Sequence, residues 1–301
     1  MQSTIMMRTA VSMVLLMAGT LVTAPVIVAA PALTVGVSVL PQKYFVERIA
    51  GENANVIVMV GPGHNPATYE PRPRQITQLH NARLYFLMGV PFEARWLKTI
   101  ASVSPDMKLI SLTEGVERLP MAAHESPAGH ASNQDHQHGS LLDPHVWLSP
   151  VLVKKMAATI KDALIDADAE RRQKYQLNYQ QFIDDLDKLD QTIRQQLHNV
   201  RHRKFLVFHP SWGYYAQEYG LEQIAIERQG KQPGARSLAK IVNQARQQKI
   251  KVIFVQQQFS QRDAKTLARQ IGASVVQVDP LAENYIDNLY DVTQKFVDAL
   301  Q

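Results

Sequence analysis

The chain has 301 residues, of which 46% are hydrophobic and 20% charged, with a formal net charge of +5 and no cysteine. That length builds one large domain or two medium ones, and that composition belongs to a globular chain rather than a disordered or membrane-embedded one. Without cysteine there are no disulfides, and any metal site must use nitrogen and oxygen ligands.

The charge excludes a nucleic-acid footprint. The basic residues are scattered in sequence apart from Arg201-His202-Arg203-Lys204, which sits at a predicted helix end, where cations complement the helix dipole. The first thirty residues differ from the rest. Arg8 is their only charge, Ala10 to Val22 is almost wholly apolar, and small residues gather at Val28-Ala29-Ala30-Pro31-Ala32. This pattern predicts a secretory signal peptide over residues 1–32, cleaved near Ala30 or Ala32. The apolar run is short for a membrane span, and Pro25 and Pro31 interrupt its extension.

After the leader, short β-type runs alternate with amphipathic stretches. Residues 33–39, 55–60, 83–88 and 107–112 read as strands. Residues 41–49, 71–82 and 91–104 read as helices, each opening on proline. Residues 113–144 lack periodicity and are rich in His, Ser, Gly, Pro and Asn, so a loop is predicted. Ser149-Pro150 then caps and starts a helix to about Asp166. From Ala169 to about His202, Tyr175, Tyr179, Phe182, Leu186, Leu189, Ile193 and Leu197 recur at three- and four-residue steps without Gly or Pro. That predicts a rod of roughly 50 Å, read as a connecting backbone helix rather than a coiled-coil arm. The alternation resumes with strands at 205–208, 222–226, 251–256 and 274–278. Helices are predicted at 212–219, 234–248, 260–271 and 284–300.

The expected fold is α/β: two lobes with mostly parallel sheets joined by one long helix. The N-terminal lobe spans 33–168, the linking helix 169–202 and the C-terminal lobe 203–301.

In open α/β sheets, ligands bind beyond the carboxyl ends of the strands. That rule selects His64 after the second strand, His209 after 205–208, Asp279 after 274–278, and His145 at the end of the long loop. Three imidazoles and one carboxylate suit a tetrahedral zinc shell. Each residue alone reads more simply as a loop residue; their shared placement makes them candidates. His80, His198 and His202 fall on helices and read as surface residues. The loop adds His124, His130, His136 and His138, a tract suited to weaker, secondary metal capture because ordering it costs entropy.

The sequence resembles the metal-binding receptors of bacterial ABC importers for zinc and manganese, the zinc-uptake branch in particular. The resemblance rests on Val60-Gly61-Pro62-Gly63 leading to Thr68-Tyr69-Glu70-Pro71, and on Asp143-Pro144-His145-Val146-Trp147-Leu148-Ser149-Pro150. It continues through His209-Pro210-Ser211-Trp212-Gly213-Tyr214, Phe259-Ser260, Asp279-Pro280-Leu281 and Asn284-Tyr285. It implies two lobes bridged by a long helix, metal between them, and His145, His209 and Asp279 as ligands. It also implies a periplasmic, monomeric, non-enzymatic protein whose cargo is Zn2+ and whose partner is an importer permease in the inner membrane. The chain departs from the pattern at Ala67, where the resemblance implies a first histidine ligand, and at Gln232 and Gln256, where many members carry Glu. His64 is the preferred replacement ligand; a water or a loop histidine are the alternatives. Competing functions are a manganese or iron receptor, an exported zinc hydrolase, and a scavenging or adhesive metal protein.

Overall fold

The computed structural model describes residues 31–121, 142–227 and 234–301. The predicted leader lies almost wholly outside the described residues, as do His124, His130, His136 and His138 of the predicted loop, and Gln232.

The first lobe runs β1 (Leu33–Val39), α1 (Leu40–Ala50), β2 (Ala54–Val60), α2 (Pro73–Gln78), β3 (Leu84–Leu87), α3 (Pro91–Val103) and β4 (Lys108–Ser111). Its four strands pair in the order β2-β1-β3-β4, every pair parallel. Helices α4 (Pro150–Ala167) and α5 (Arg172–His198) follow. The second lobe runs β5 (Lys204–Val207), α6 (Gly213–Glu218), β6 (Glu222–Ala225), α7 (Ala235–Gln247), β7 (Val252–Val255), α8 (Gln261–Ile271), β8 (Ser274–Gln277) and α9 (Tyr285–Leu300). Its order is β6-β5-β7-β8, again parallel throughout. The two lobes therefore repeat one topology. In each, the chain steps first to one side of the opening strand and then crosses to the other. That reversal is the place where an open α/β sheet leaves a crevice.

The strands are apolar runs because parallel sheets are covered on both faces. In β7 all four residues, Val252 to Val255, are buried. The two faces of the second sheet go different ways. Phe205, Val207 and Phe254 join a core that extends into the first lobe. Leu206, Ile253 and Val255 instead pack under α7 and α8 in a separate cluster.

Helix α5 ties the lobes together. Tyr175, Phe182, Leu186, Leu189, Ile193 and Leu197 are all buried, in the core shared by both sheets. That burial accounts for the predicted periodicity and leaves no free arm for a coiled coil. Arg48 of α1 fixes the helix at mid-length: it bonds Asp185 at 2.7 Å and lies 5.0 Å from the centre of the Phe182 ring. The rod is shorter than expected. Its 27 residues span about 40 Å, because Asp168 leaves helical geometry and a 3-10 turn, Ala169–Arg171, intervenes.

A second difference concerns the helix expected over 71–82. Pro73 holds Arg72 extended (φ −73°, ψ 148°), so α2 starts only there and closes in a 3-10 turn, Leu79–Asn81. The expected serine cap at Ser149 is formed, and Ser260 caps α8 in the same way. Ser149 Oγ accepts from Leu152 N and Ser260 Oγ from Asp263 N, both at 3.3 Å.

Phe182 is fully buried, with the rings of Tyr44 and Phe45 each centred 6.0 Å away. Phe182→Ala is expected to cost about 3–5 kcal/mol of folding stability by leaving a cavity between helix and lobe. Denaturant melts of the variant and the parent protein measure this. A loss under about 1 kcal/mol would mean that the lobes are not held through α5.

Candidate functional site

The carboxyl ends of both sheets meet at a cavity of about 60 Å³. One wall comes from the connections after β2 and β3 and carries Pro66, Ala67, Val90 and Pro91; the other carries His145, Trp147, His209 and Phe259. The space admits an ion and a small number of waters.

Two of the four candidate ligands face one another here. The rings of His145 and His209 lie 5.2 Å apart between centroids, at 75°. Each reaches that position by a separate local device. In Asp143-Pro144-His145 the carboxylate curls over its own chain: Asp143 Oδ1 accepts both the His145 backbone N–H, at 2.9 Å, and Nδ1, at 2.7 Å. His209 lies two residues beyond the end of β5. Its Nδ1 lies 3.2 Å from Oε2 of Glu227, beyond the end of β6, and its ring stacks on Phe259 at 5.1 Å and 15°. Gln256, at the end of β7, holds the backbone, donating Nε2 to His209 O at 2.7 Å and to Ser211 Oγ at 2.8 Å. His209 and Gln256 thus occupy the switch point between β5 and β7.

Both orienting groups are carboxylates, which only accept, so each Nδ1 donates its proton to one of them and Nε2 is the nitrogen left to ligate. A carboxylate behind an imidazole fixes its tautomer and raises its basicity toward a metal. Burial, resisted by Asp143, holds the His145 imidazole below its ordinary pKa; the neighbouring His209 pushes in the same direction. His145 is therefore in the neutral, metal-binding form at neutral pH.

The other two candidates are placed differently. Asp279 is half-buried just before Pro280 and Leu281, which line the cavity. Its Oδ1 accepts from Leu281 N at 2.9 Å, and burial raises its carboxyl pKa, with that amide opposing the rise. His64 is exposed and absent from the cavity wall, its ring 5.2 Å from that of Tyr69. The reason is local. A turn closes from His64 N to Gly61 O at 3.3 Å, and Asn65 Oδ1 accepts from Ala67 N at 2.8 Å, which presents residues 65–67 inward and His64 outward. Arg95 donates to Ala67 O at 2.9 Å and pins that arrangement. The structure therefore does not bring His64 to the histidine pair. Among the described residues, no three His, Asp or Glu side chains stand close enough together to hold an ion. His80, expected at the surface, is exposed and packs its Nδ1 3.3 Å from Val103 O.

Sequence reasoning missed the orienting carboxylates. Asp143 stands two residues before His145 in the Asp143-Pro144-His145 segment, from which only the histidine is a candidate ligand. Glu227 follows the end of β6 and so obeys the same strand-end rule as His209, the signal that points to it. A third missed residue is Gly213. A Cβ there would stand 2.8 Å from Asp143 Oδ2, so only glycine lets the second lobe approach this carboxylate. The seam is closed by further bonds. Tyr214 Oη donates to Asp143 O and accepts from Leu119 N, both at 3.0 Å, and Trp147 Nε1 donates to Pro280 O at 2.7 Å.

The family model for the periplasmic zinc-uptake complex component A, ZnuA, matches residues 35–299. The zinc-binding lipoprotein AdcA of Streptococcus pneumoniae is 27% identical over 273 residues, covering 87% of this chain and 54% of its own. The chain thus spans about half the length of that relative. The high-affinity zinc uptake system protein ZnuA of Bacillus subtilis is 28% identical over 240 residues, covering 77% of this chain and 73% of its own. Among solved structures, a crystal structure of ZnuA is 38% identical with a TM-score of 0.82, covering 90% of this chain and all of that one. A ZnuA deletion mutant with zinc bound is 37% identical with a TM-score of 0.81, covering 90% of this chain and 98% of that one.

Asp143→Asn is expected to weaken divalent-metal binding about 10–100-fold by releasing the His145 ring. Gly213→Ala, which touches no ligand, is expected to weaken it in the same direction by crowding Asp143. Competitive titration against a chromogenic chelator reads both. Parent-like affinity in folded Asp143→Asn protein would remove the carboxylate from the account.

Proposed function

Because the chain belongs to the zinc-uptake complex component A family, we propose that it is an exported receptor that binds Zn2+ between its lobes and delivers it to the permease of an ABC importer. The observation that carries this reading is the pair of facing imidazoles, each with Nδ1 on a buried carboxylate and Nε2 turned to a shared space. The relatives named for zinc uptake and zinc binding support the choice of cargo. So does the ligand chemistry: imidazole suits zinc, whereas manganese prefers carboxylate and water. The apolar leader supports export.

Zinc enters as cargo. His145 and His209 take two positions, and Asp279 takes a third by turning its carboxylate from Leu281 N into the cavity. A bound cation favours the ionised carboxylate and so offsets the rise in pKa that burial imposes. The fourth position faces the Ala67 side, which has no donor side chain, and a water fills it. His64 enters the shell only if the Gly61–His64 turn opens and the bonds that hold Asn65 to Ala67 rearrange. A hydrolase reading is weaker. The carboxylates nearest the imidazoles, Asp143 and Glu227, are committed to the Nδ1 atoms and cannot also act as a general base on the Nε2 side.

His145→Ala and His209→Ala are each expected to lower zinc affinity at least about a hundredfold, about 2.7 kcal/mol. His64→Ala is expected to change it by less than about twofold, and a loss of about tenfold would place His64 in the shell. Affinity should fall as pH drops through the imidazole range, since a protonated ring cannot ligate. Competitive titration of the purified protein, with metal analysis for stoichiometry, decides these points. Full zinc affinity in both histidine variants would overturn the reading.

A further inference from the structure

The basic residues that look scattered in the sequence are gathered by the fold. Between Gly234 and Val278 the chain carries Arg236, Lys240, Arg246, Lys249, Lys251, Arg262, Lys265 and Arg269, against Asp263 alone. This stretch carries +7 while the whole chain carries +5, so the rest of the molecule is net acidic. All eight cations are exposed. They lie on α7, α8 and the turn into β7, and these two helices pack side by side as one outer layer of the second lobe. The apolar residues of that layer, Ile241, Val242, Ala245, Ala264, Leu267 and Ala268, all point inward, so its outer surface is almost purely polar and basic.

Nor is this charge neutralised locally. Among the described residues, ion pairs such as Arg48–Asp185, Lys154–Asp187 and Arg194–Glu218 lie on other elements, and a single acid, Asp263, stands against the eight cations of this layer. Arg246 donates to a backbone carbonyl, that of Gln270, and Arg269 to the Thr266 hydroxyl.

We propose that the α7–α8 face docks the receptor onto an anionic phospholipid surface. The partner follows from the make-up of the face. A specific protein interface is built on a buried aromatic or aliphatic anchor with a polar rim. The exposed large hydrophobic residues of the described chain, Leu109, Leu142 and Leu177, are all elsewhere. A broad array of flexible cations without an anchor fits diffuse attraction to a charged bilayer, which adds up residue by residue and fades with salt. The face also starts at the metal site: the connection after β7 that supplies Gln256, Gln258 and Phe259 to the cavity runs straight into α8. Adsorption through this layer would keep the loaded cavity close to the membrane in which an importer sits. This rests on the receptor reading only for its purpose; the lipid affinity stands independently of zinc.

The test uses the protein as its host exports it, with vesicles of phosphatidylglycerol and phosphatidylcholine compared with phosphatidylcholine alone. Sedimentation is expected to bring the protein down only with the anionic vesicles, and to lose at least about tenfold in partitioning between about 50 and about 300 mM salt. The triple variant Lys240→Glu, Lys265→Glu, Arg269→Glu should lose at least about tenfold in partitioning. A control variant with the same charge change on the first lobe, Arg74→Glu, Lys98→Glu, Lys108→Glu, should lose far less. Zinc titration and thermal melts of each variant keep a lipid defect separate from a folding or metal-site defect. Equal partitioning into both vesicle types, or equal losses in the two variants, would overturn the proposal. Binding to a soluble acidic polypeptide in place of anionic vesicles would overturn it in favour of a protein partner.

Discussion

The carboxylate of Asp143 sits where the two lobes touch, and the geometry of the proposed metal site depends on it. One oxygen takes both the backbone and the ring N–H of His145. The other lies where a side chain on Gly213 would have to stand. The backbone oxygen of the same residue accepts from Tyr214 and from Arg118, at 3.0 and 3.1 Å. A single residue thus aims a first-lobe histidine and measures how closely the second lobe can approach. The same logic recurs across the cavity with Glu227 behind His209. The result is a site whose directionality is set before metal arrives, which lowers the ordering cost of binding.

Lobe connectivity reinforces that arrangement. A long helix buried along its inner stripe and a bond from Trp147 to Pro280 O leave little freedom for one lobe to swing against the other. Under the proposed function, metal capture is then a matter of side chains and the short connection after β8, where Asp279 resides. Buried seams of this kind resist the wide hinge closure seen where domains meet through small polar interfaces.

Much of this was legible in the sequence, and the reasons are specific. Strands of a parallel sheet are buried on both faces, so they read as apolar runs, and all eight were located to within a residue or two. The α5 stripe was legible because its periodicity is long and uninterrupted. Boundaries at Arg72 and Asp168 were less so, because they depend on one residue's dihedrals rather than on a pattern. At the site, the strand-end rule found His145 and His209. It could not say which way His64 faces, since a turn of one residue more or less reverses a side chain. The common face of the basic residues between Arg236 and Arg269 was less legible, because which sides of α7 and α8 stay exposed depends on how the two helices pack on the sheet.

In the proposed site, His145 and His209 present Nε2 to one ion while their Nδ1–H groups stay hydrogen-bonded to Asp143 and Glu227. Long-range nitrogen–proton correlation spectra of the imidazole rings, recorded with and without one equivalent of zinc, report this directly. The account predicts that zinc shifts Nε2 of both rings together and leaves both Nδ1 atoms protonated. Zinc bound with either ring unchanged, or bound through Nδ1, would contradict it.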